Sequence, residues 1–518
     1  MAFNFSYGQK IKLNYENILK NNDIDCLLVN SSNEFLEEYT ALEENARYKL
    51  TGFSGSTGDA LLTKEKIYLF VDGRYHIQAD EEVDHNSTEV VKLKIGETFV
   101  EKLTEKIPEN STIGIVASKN SQARVELFQK FFKLKSISIK LLEKDPILPT
   151  SIDNSEKKYT TVSGLSTNKK IKKITKNLKK GDAIFTSVPE EISYMLNLRD
   201  FSKNYTSSIK RKKCLFDKNG YYLEEKDVTG YVYMDKATTS AADFNRFKRV
   251  KALKVNPIKE LKAVKSADEL NHLKKCFART DKALLATRKY IEENDNISEF
   301  DIANELEKNF KKFGAKSLSF KSIVAKDKNS ASAHYSKSSK DEILKNGSLI
   351  LIDCGAYYEQ GLATDSTRVF VKGKPSSLQI KVYTTVLKAF LKAYSTKVNE
   401  KTRGYDIDKR ARKLLNDLKP EGFEFSHSLG HGIGISVHEN PPSLSPAGKT
   451  ILKPSMCFTI EPGLYNAEHF GVRLENSCYL NKDRKIISFS KMCFEKKLID
   501  FSLLTNKEKN TLKLFKVL

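Results

Sequence analysis

The sequence predicts a multidomain chain in which two α/β domains precede a C-terminal α+β domain. Three observations carry this prediction. The chain has 518 residues, more than one hydrophobic core ordinarily serves. Strand and helix patterns alternate to about Leu142, and proline-bearing polar stretches then interrupt them near Asp145 and Asn256. Beyond about residue 260, long helical patterns stand apart from several short apolar strands, as in an α+β domain. The expected domains are 1–146, 147–258 and 259–518.

In the first domain an amphipathic helix around Ile11 to Leu19 leads into a short buried strand at Ile24 to Asn30. Tyr48 to Gly58 reads as a glycine-punctuated turn, followed by strands at Ala60 to Thr63 and Ile67 to Val71. Asp72-Gly-Arg-Tyr75 ends the second strand and a helix starts near Tyr75. No GxxxxGK[ST] pattern is present, so the glycines serve turn geometry rather than phosphate binding. Asp145-Pro-Ile-Leu-Pro149 and the polar residues after it read as a linker. In the second domain Ile171, Ile174 and Leu178 fall at helical spacing among lysines, Ala183 to Val188 reads as a strand and Glu190 to Leu198 as a short helix. Cys214 to Met234 alternates like paired strands, and Asn256-Pro-Ile-Lys259 reads as a second linker. Ser266 and Glu269 form a capping box that opens a long helix to about Glu292. Strands are expected at Leu349 to Asp353, Ala363 to Val371, Cys457 to Glu461 and Gly471 to Glu475.

Composition narrows the function classes. With 39% hydrophobic and 30% charged residues the chain reads as soluble and globular. No apolar run approaches the ~18 residues of a spanning helix, and Met1 to Tyr15 carries no signal-peptide or transit pattern, so a cytoplasmic location is expected. The seven cysteines are scattered without a CxxC pair, which points to reduced, buried thiols. The net charge of +22 comes mostly from lysines spread among acids, the pattern of solvated helix faces. Neither nucleic acid nor membrane is an expected partner.

The chemistry gathers between Asp353 and Glu475. Asp353, Asp365, Glu461 and Glu475 each lie in or end an apolar strand pattern. Three of the chain's eight histidines, His427, His431 and His438, fall within twelve residues among glycines. His438-Glu439 is followed by Asn-Pro-Pro, which cannot continue a helix, so this is not an HExxH site. A turn at Glu359-Gln-Gly361 would make a hairpin that sets Asp353 beside Asp365. Arg473 and Glu475 share a face by the two-residue period of a strand, whereas Cys354 points away from Asp353. Acids gathered in apolar strands cannot all ionise without cations, so a divalent metal site, with two metals, is the sharp reading. The alternative is a set of exposed, unrelated acids.

These motifs resemble those of a known family. Asp353-Cys-Gly, Ala-Thr-Asp365-Ser-Thr-Arg, His427-x3-His431-Gly-x-Gly-x3-His438-Glu, Glu461-Pro-Gly-x-Tyr465 and Gly-Val-Arg473-Leu-Glu475-Asn are similar to those of the pita-bread metallopeptidases. Gly-Phe-Ser-Gly-Ser-Thr-Gly58, Val-Asp-Gly-Arg-Tyr75, Leu318-Ser-Phe and His334-Tyr bring the chain closest to the three-domain, cytosolic-type aminopeptidase P. The resemblance implies two creatinase-like α/β domains ahead of a pita-bread catalytic domain. It implies release of the first residue from peptides with proline second, by a hydroxide held between two divalent ions, usually Mn2+, with Zn2+ or Co2+ as alternatives. Asp353, Asp365, His431, Glu461 and Glu475 would hold the metals, with Asp365 and Glu475 bridging. Glu461 would shuttle a proton, His334 and His438 would orient the peptide and stabilise the oxyanion, and His427 would line the pocket. Arg473 would steady a ligand carboxylate, supported by Tyr465. A homodimer is expected on the same ground. The rival readings are a prolidase-type Xaa-Pro dipeptidase and a non-catalytic pita-bread binding protein. The Asp353–Asp365 spacing is one residue longer than in most of the family: an insertion at the turn would keep the register, one inside a strand would turn Asp365 away.

Overall fold

A computed structural model describes residues 15–148, 159–210, 212–223 and 226–515. The beginning of the helix expected near Ile11, and Pro149 with the polar residues of the first expected linker, lie outside them. The chain divides into two compact units: Met1–Glu156 with Asn168–Ile192 and Arg211–Asn256, and Lys157–Thr167 with Ser193–Lys210 and Pro257–Leu518.

The first unit holds two sheets. Strands β1 (Cys26–Val29), β2 (Asp59–Leu62), β3 (Ile67–Val71), β4 (Thr88–Lys92), β5 (Thr112–Val116) and β6 (Ser138–Leu142) form one sheet in the order β4-β3-β2-β1-β5-β6. All four residues of β1 are buried, because both faces of the sheet are covered. Cys26 and Leu28 pack with Val100, Leu103, Phe128 and Phe132, whereas Leu27 and Val29 pack with Leu19, Ala46 and Leu50. The segment read as a glycine turn begins instead as a helix, Ala46–Thr51, because the Asn45 side chain accepts from Tyr48 N and caps it. Gly52 ends that helix at φ 76°, a conformation that costs glycine little. Beyond it, buried Arg47 donates to the carbonyl of Thr57 (2.8 Å) and to that of Gly55, and Ser56 shares a 2.7 Å hydrogen bond with Tyr75. The first-domain motif is thus a hydrogen-bonded knot.

The second sheet comprises β7 (Ala183–Thr186), β8 (Cys214–Asp217), β9 (Gly220–Tyr222), β10 (Val232–Met234) and β11 (Val250–Ala252), in the order β9-β8-β7-β10-β11. The expected pairing holds for β8 with β9, which form a hairpin. Strand β10 departs from it by pairing parallel to β7 and β11.

The second unit carries the metal-site motifs. The expected linker at Asn256 to Lys259 is instead the start of a helix, Pro257–Ala263; proline at the first helical position forfeits only an amide that had no intrahelical partner. The capping box of Ser266 and Glu269 is present and opens the helix Ala267–Glu293. Strands β12 (Ile323–Lys326), β13 (Leu349–Cys354) and β14 (Ser366–Val371) form an antiparallel sheet. One face, through Ile350, Ile352, Cys354 and Phe370, packs on Cys276, Leu284, Leu306 and Phe310 of two helices. The other, through Leu349, Leu351, Val369 and Val371, packs on Val386, Phe390, Ala411, Phe458 and Val472. Strand β15 (Cys457–Ile460) pairs with β18 (Asn476–Leu480), which pairs with β19 (Ile486–Ser488), while β16 (Gly463–Tyr465) pairs with β17 (Gly471–Arg473). All seven cysteines are buried and free. Among the described residues, no helix is long and apolar enough to cross a membrane.

Candidate metal centre

The hairpin expected between Asp353 and Asp365 is present as β13 and β14, with Asp353 opposite Thr367 and Cys354 opposite Ser366. Strand β14 begins at Ser366 rather than Ala363. The connection turns at Gly361, whose amide donates to the Tyr358 carbonyl at 2.8 Å. Two-residue alternation therefore puts Asp353, Asp365 and Thr367 on one side. Cys354 lies on the other, its Sγ 3.8 Å from the Ser366 carbonyl. The longer Asp353–Asp365 connection leaves the register of both strands intact.

Strand β15 presents Phe458 and Ile460 to the core and Thr459 and Glu461 to the histidines. The Thr459 hydroxyl oxygen accepts from the His431 amide at 3.1 Å. Strand β17 and the residues after it repeat this pattern: Val472 and Leu474 enter the core, leaving Arg473 and Glu475 to the site. Glu461 and Glu475 lie just past their strands, not within them.

The assembled centre is a buried cluster of acids around one imidazole. Asp365, His431 and Glu475 bring candidate ligand atoms within 4.8 Å of one another. His431 Nε2 lies 3.5 Å from Asp365 Oδ2 and 3.5 Å from Glu461 Oε1. Its Nδ1 is 3.0 Å from the Gly432 carbonyl; a carbonyl only accepts, so Nδ1 carries the proton and Nε2 presents a lone pair in the neutral ring. Asp353 joins through Arg473, whose Nη2 donates to Asp353 Oδ2 at 2.6 Å. Arg473 Nε also donates to Thr367 Oγ1 (3.2 Å), and that hydroxyl donates to Glu475 Oε2 (2.7 Å).

Three carboxylate oxygens in this cluster, Asp353 Oδ1, Asp365 Oδ1 and Glu475 Oε1, are buried without a hydrogen-bond partner. Burial first, and repulsion from the neighbouring carboxylates second, push Asp365 and Glu475 well above the usual carboxylate range. Arg473 offsets too little of this. Lone-pair oxygens in a buried cluster beside an imidazole nitrogen are the donor set that hard divalent cations take, so the residues fit a metal.

A chain of contacts supports the cluster. His427 Nε2 is 2.8 Å from the Tyr465 hydroxyl, which accepts from Arg473 Nη1 at 2.8 Å. Burial pushes Tyr465 up to about 12, so it enters the chain as a neutral phenol. The other histidines are less uniformly placed. His427 Nδ1 is 3.9 Å from Glu461 Oε2, and the His438 ring meets that of His431 edge-on at 4.3 Å. His334 lies in the loop after the 3-10 turn Asp327–Ala331, where Ser330 Oγ donates to the Gly471 carbonyl at the start of β17.

Residue patterns alone did not flag three other contributors. Thr367 bridges Arg473 and Glu475; its signal was its place two residues after Asp365 on one strand. Buried Arg368 donates to the main-chain carbonyls of Glu475, Met492 and Cys493 and to Asn476 Oδ1, tying β14 to β18. Glu439, next to His438, is fully desolvated between Lys262 and Lys265, at 2.9 and 2.5 Å, and accepts from the Ile435 amide at 3.0 Å. Both lysines come from the stretch around the expected linker.

Residues 271–482 match Metallopeptidase family M24, and residues 14–143 match the Creatinase/Prolidase N-terminal domain. Xaa-Pro aminopeptidase 1 of Dictyostelium discoideum is 29% identical over 95% of this chain and 89% of its own. A probable Xaa-Pro aminopeptidase P of Coprinopsis cinerea is 27% identical over 95% of this chain and 91% of its own. The fold matches the crystal structure of an X-prolyl aminopeptidase from Caenorhabditis elegans, a cytosolic enzyme with a di-nuclear active site. The TM-score is 0.84 at 21% identity, covering 94% of this chain and 90% of that one. The chain thus carries a match to Metallopeptidase family M24 over its C-terminal part, with a match to the Creatinase/Prolidase N-terminal domain ahead of it, and Xaa-Pro aminopeptidases are homologues along nearly its whole length.

Proposed function

We propose that this protein is a metal-dependent aminopeptidase that hydrolyses the bond between an N-terminal residue and a following proline. The observation that carries the metal chemistry is the set of buried, partnerless oxygens on Asp353, Asp365 and Glu475. Homology to Xaa-Pro aminopeptidases supports the substrate class. Asp353, Asp365, His431, Glu461 and Glu475 would hold two divalent cations. These would supply Lewis acidity toward water and toward the peptide carbonyl.

The chain's own residues would do the rest. Glu461, at the edge of the cluster beside His431 and His427, would take a proton and return it to the proline nitrogen. His438 and His334 would orient the peptide and donate to the carbonyl oxygen as charge develops there. Tyr465 and Arg473 hold Asp353 from outside, and His427 completes that line. Manganese as the metal, a cytoplasmic location and a homodimer belong to the same reading; the metal and the homodimer rest on the family resemblance, and the location on the sequence pattern. The division into domains at 1–146, 147–258 and 259–518 rests on the proline-bearing stretches near Asp145 and Asn256, and the separate sheets β1–β6 and β7–β11 support it.

The test is an assay of a Xaa-Pro-Pro tripeptide beside a Xaa-Pro dipeptide, each with and without Mn2+. Metal-dependent release of the first residue from the tripeptide is expected. Cleavage of the dipeptide alone would instead identify a prolidase. Protein that binds no divalent metal and turns over neither peptide would leave a binding protein as the answer.

A further inference from the structure

The turn that joins the two aspartate strands is gripped by residues far away in sequence. Ser193–Lys210 groups with the C-terminal unit and forms a compact loop: Ser193 Oγ accepts from the Ile209 amide at 2.9 Å, and the Asp200 amide donates to the Ser207 carbonyl at 2.9 Å. Within it Arg199 is buried, 3% exposed. Its guanidinium donates to three main-chain carbonyls: Nη1 to Ser193 and Leu198, both at 2.9 Å, and Nε to Gln360 at 3.0 Å. Burying a guanidinium is costly, and here the Glu269 and Glu439 carboxylates offset only part of that cost. Burial lowers its pKa to about 10, the signature of that cost.

Two further contacts fall on the next residue. Buried Ser207 donates from Oγ to the Gly361 carbonyl at 2.7 Å. The Arg199 stem lies where a Gly361 side chain would go: an added Cβ would sit 2.7 Å from Arg199 Cδ, at a φ of +62°. From this turn the chain passes through Ala363, whose amide donates to the Gly434 carbonyl of the histidine loop at 2.7 Å, and reaches Asp365 two residues later. Holding the turn therefore holds both the spacing of the two aspartates and the approach of the histidine loop.

From this we infer that Arg199 is a positioning residue for the metal centre, clamping the Gln360–Gly361 turn together with Ser207 so that Asp353 and Asp365 converge on one cation pair. The inference rests on the metal-dependent reading above. It is tested on the full-length, metal-stripped protein by calorimetric titration with Mn2+, together with kcat, KM and the thermal midpoint. Arg199→Met should weaken Mn2+ binding about 10- to 100-fold, the usual effect of losing a group that orients a ligand. The fall should appear in kcat, with KM for the tripeptide changed less than about threefold. Arg199→Lys, which keeps a cation and one donor, should recover part of the affinity. A folded Arg199→Met protein with wild-type Mn2+ affinity overturns the inference, even if its thermal midpoint has dropped.

Should that variant fail to fold, Ser207→Ala decides the matter, since it removes one hydroxyl. Mn2+ binding weakened by about fivefold, the worth of one hydrogen bond, supports the clamp, and unchanged binding refutes it. Wild-type protein that binds none of Mn2+, Zn2+ and Co2+ refutes the metal-dependent reading itself. Wild-type binding with indifferent variants refutes only the clamp.

Discussion

Glu439 and Glu475 are both glutamates buried in the same unit, 3% and 1% exposed, and they ionise in opposite directions. Burial penalises both. Around Glu439 two lysines outweigh that penalty and draw its pKa down to about 2. Around Glu475 the neighbours are other carboxylates, and it is driven well above the ordinary range. A buried carboxylate is tolerable only when its counter-charge lies within a few ångströms. For Glu439 the chain supplies that charge, which makes Glu439 a brace for the loop carrying His431 and His438. For Asp353, Asp365 and Glu475 the arginine Arg473 is the nearby counter-charge, and it leaves Asp365 and Glu475 well above the ordinary range. The remaining positive charge has to be brought in, and the contrast separates a structural ion cluster from a metal site.

Variants can break this contrast from either side. The largest effect is expected from Asp353→Asn: turnover of a Xaa-Pro-Pro peptide should fall at least ~10³-fold with the circular dichroism spectrum unchanged. Retained turnover would refute a ligand role for Asp353. At the brace, Glu439→Gln strands two buried lysines and should cost about 3–5 kcal/mol in denaturant unfolding of the catalytic unit. A cost under about 1 kcal/mol would mean the lysines find other partners.

Acid sharpens the comparison. Glu439 has a depressed folded-state pKa, so its contribution is complete above about pH 4.5 and is lost as pH falls toward about 2. The shift corresponds to roughly 3 kcal/mol. Asp365 and Glu475 are shifted the other way, so protons compete for them at higher pH. Metal should therefore leave, measured by elemental analysis after acid dialysis, before the Glu439 contribution declines. Simultaneous metal loss and unfolding would merge the two regions into one.

Smaller effects follow outside the ligand set. Arg473→Met removes the 2.6 Å donor to Asp353 and should weaken metal binding about 10- to 100-fold, read by competition with a chelating dye. Cys354→Ala should leave metal affinity within about twofold and cost about 1 kcal/mol of stability, because the thiol faces the helices. A large loss of affinity there would show that the two faces of β13 are not independent.

Much of the site was legible from local rules. The two-residue period assigns Asp353 and Cys354 to opposite faces of β13, and the same rule pairs Arg473 with Glu475. The capping box at Ser266 starts a helix because its hydrogen bonds join residues three apart. Local rules failed where the deciding partner was distant or the element was short. The six-residue helix Ala46–Thr51 is too brief to show periodicity, and proline in Asn256-Pro257 suits a linker and a helix start equally well.

The amino-acid sequence by itself determined the acids, the histidines, their strand faces and hence the family resemblance, because these follow from residue type and from periods of two to four residues. Tertiary structure alone decided what surrounds them. It brought Lys262 and Lys265 to Glu439, 177 and 174 positions away along the chain, and Arg199 to Gln360. It also left three acid oxygens in the centre without a partner. The reason is that a charge buried in protein is settled by whatever packs within hydrogen-bond reach, and chain separation carries no information about that neighbour.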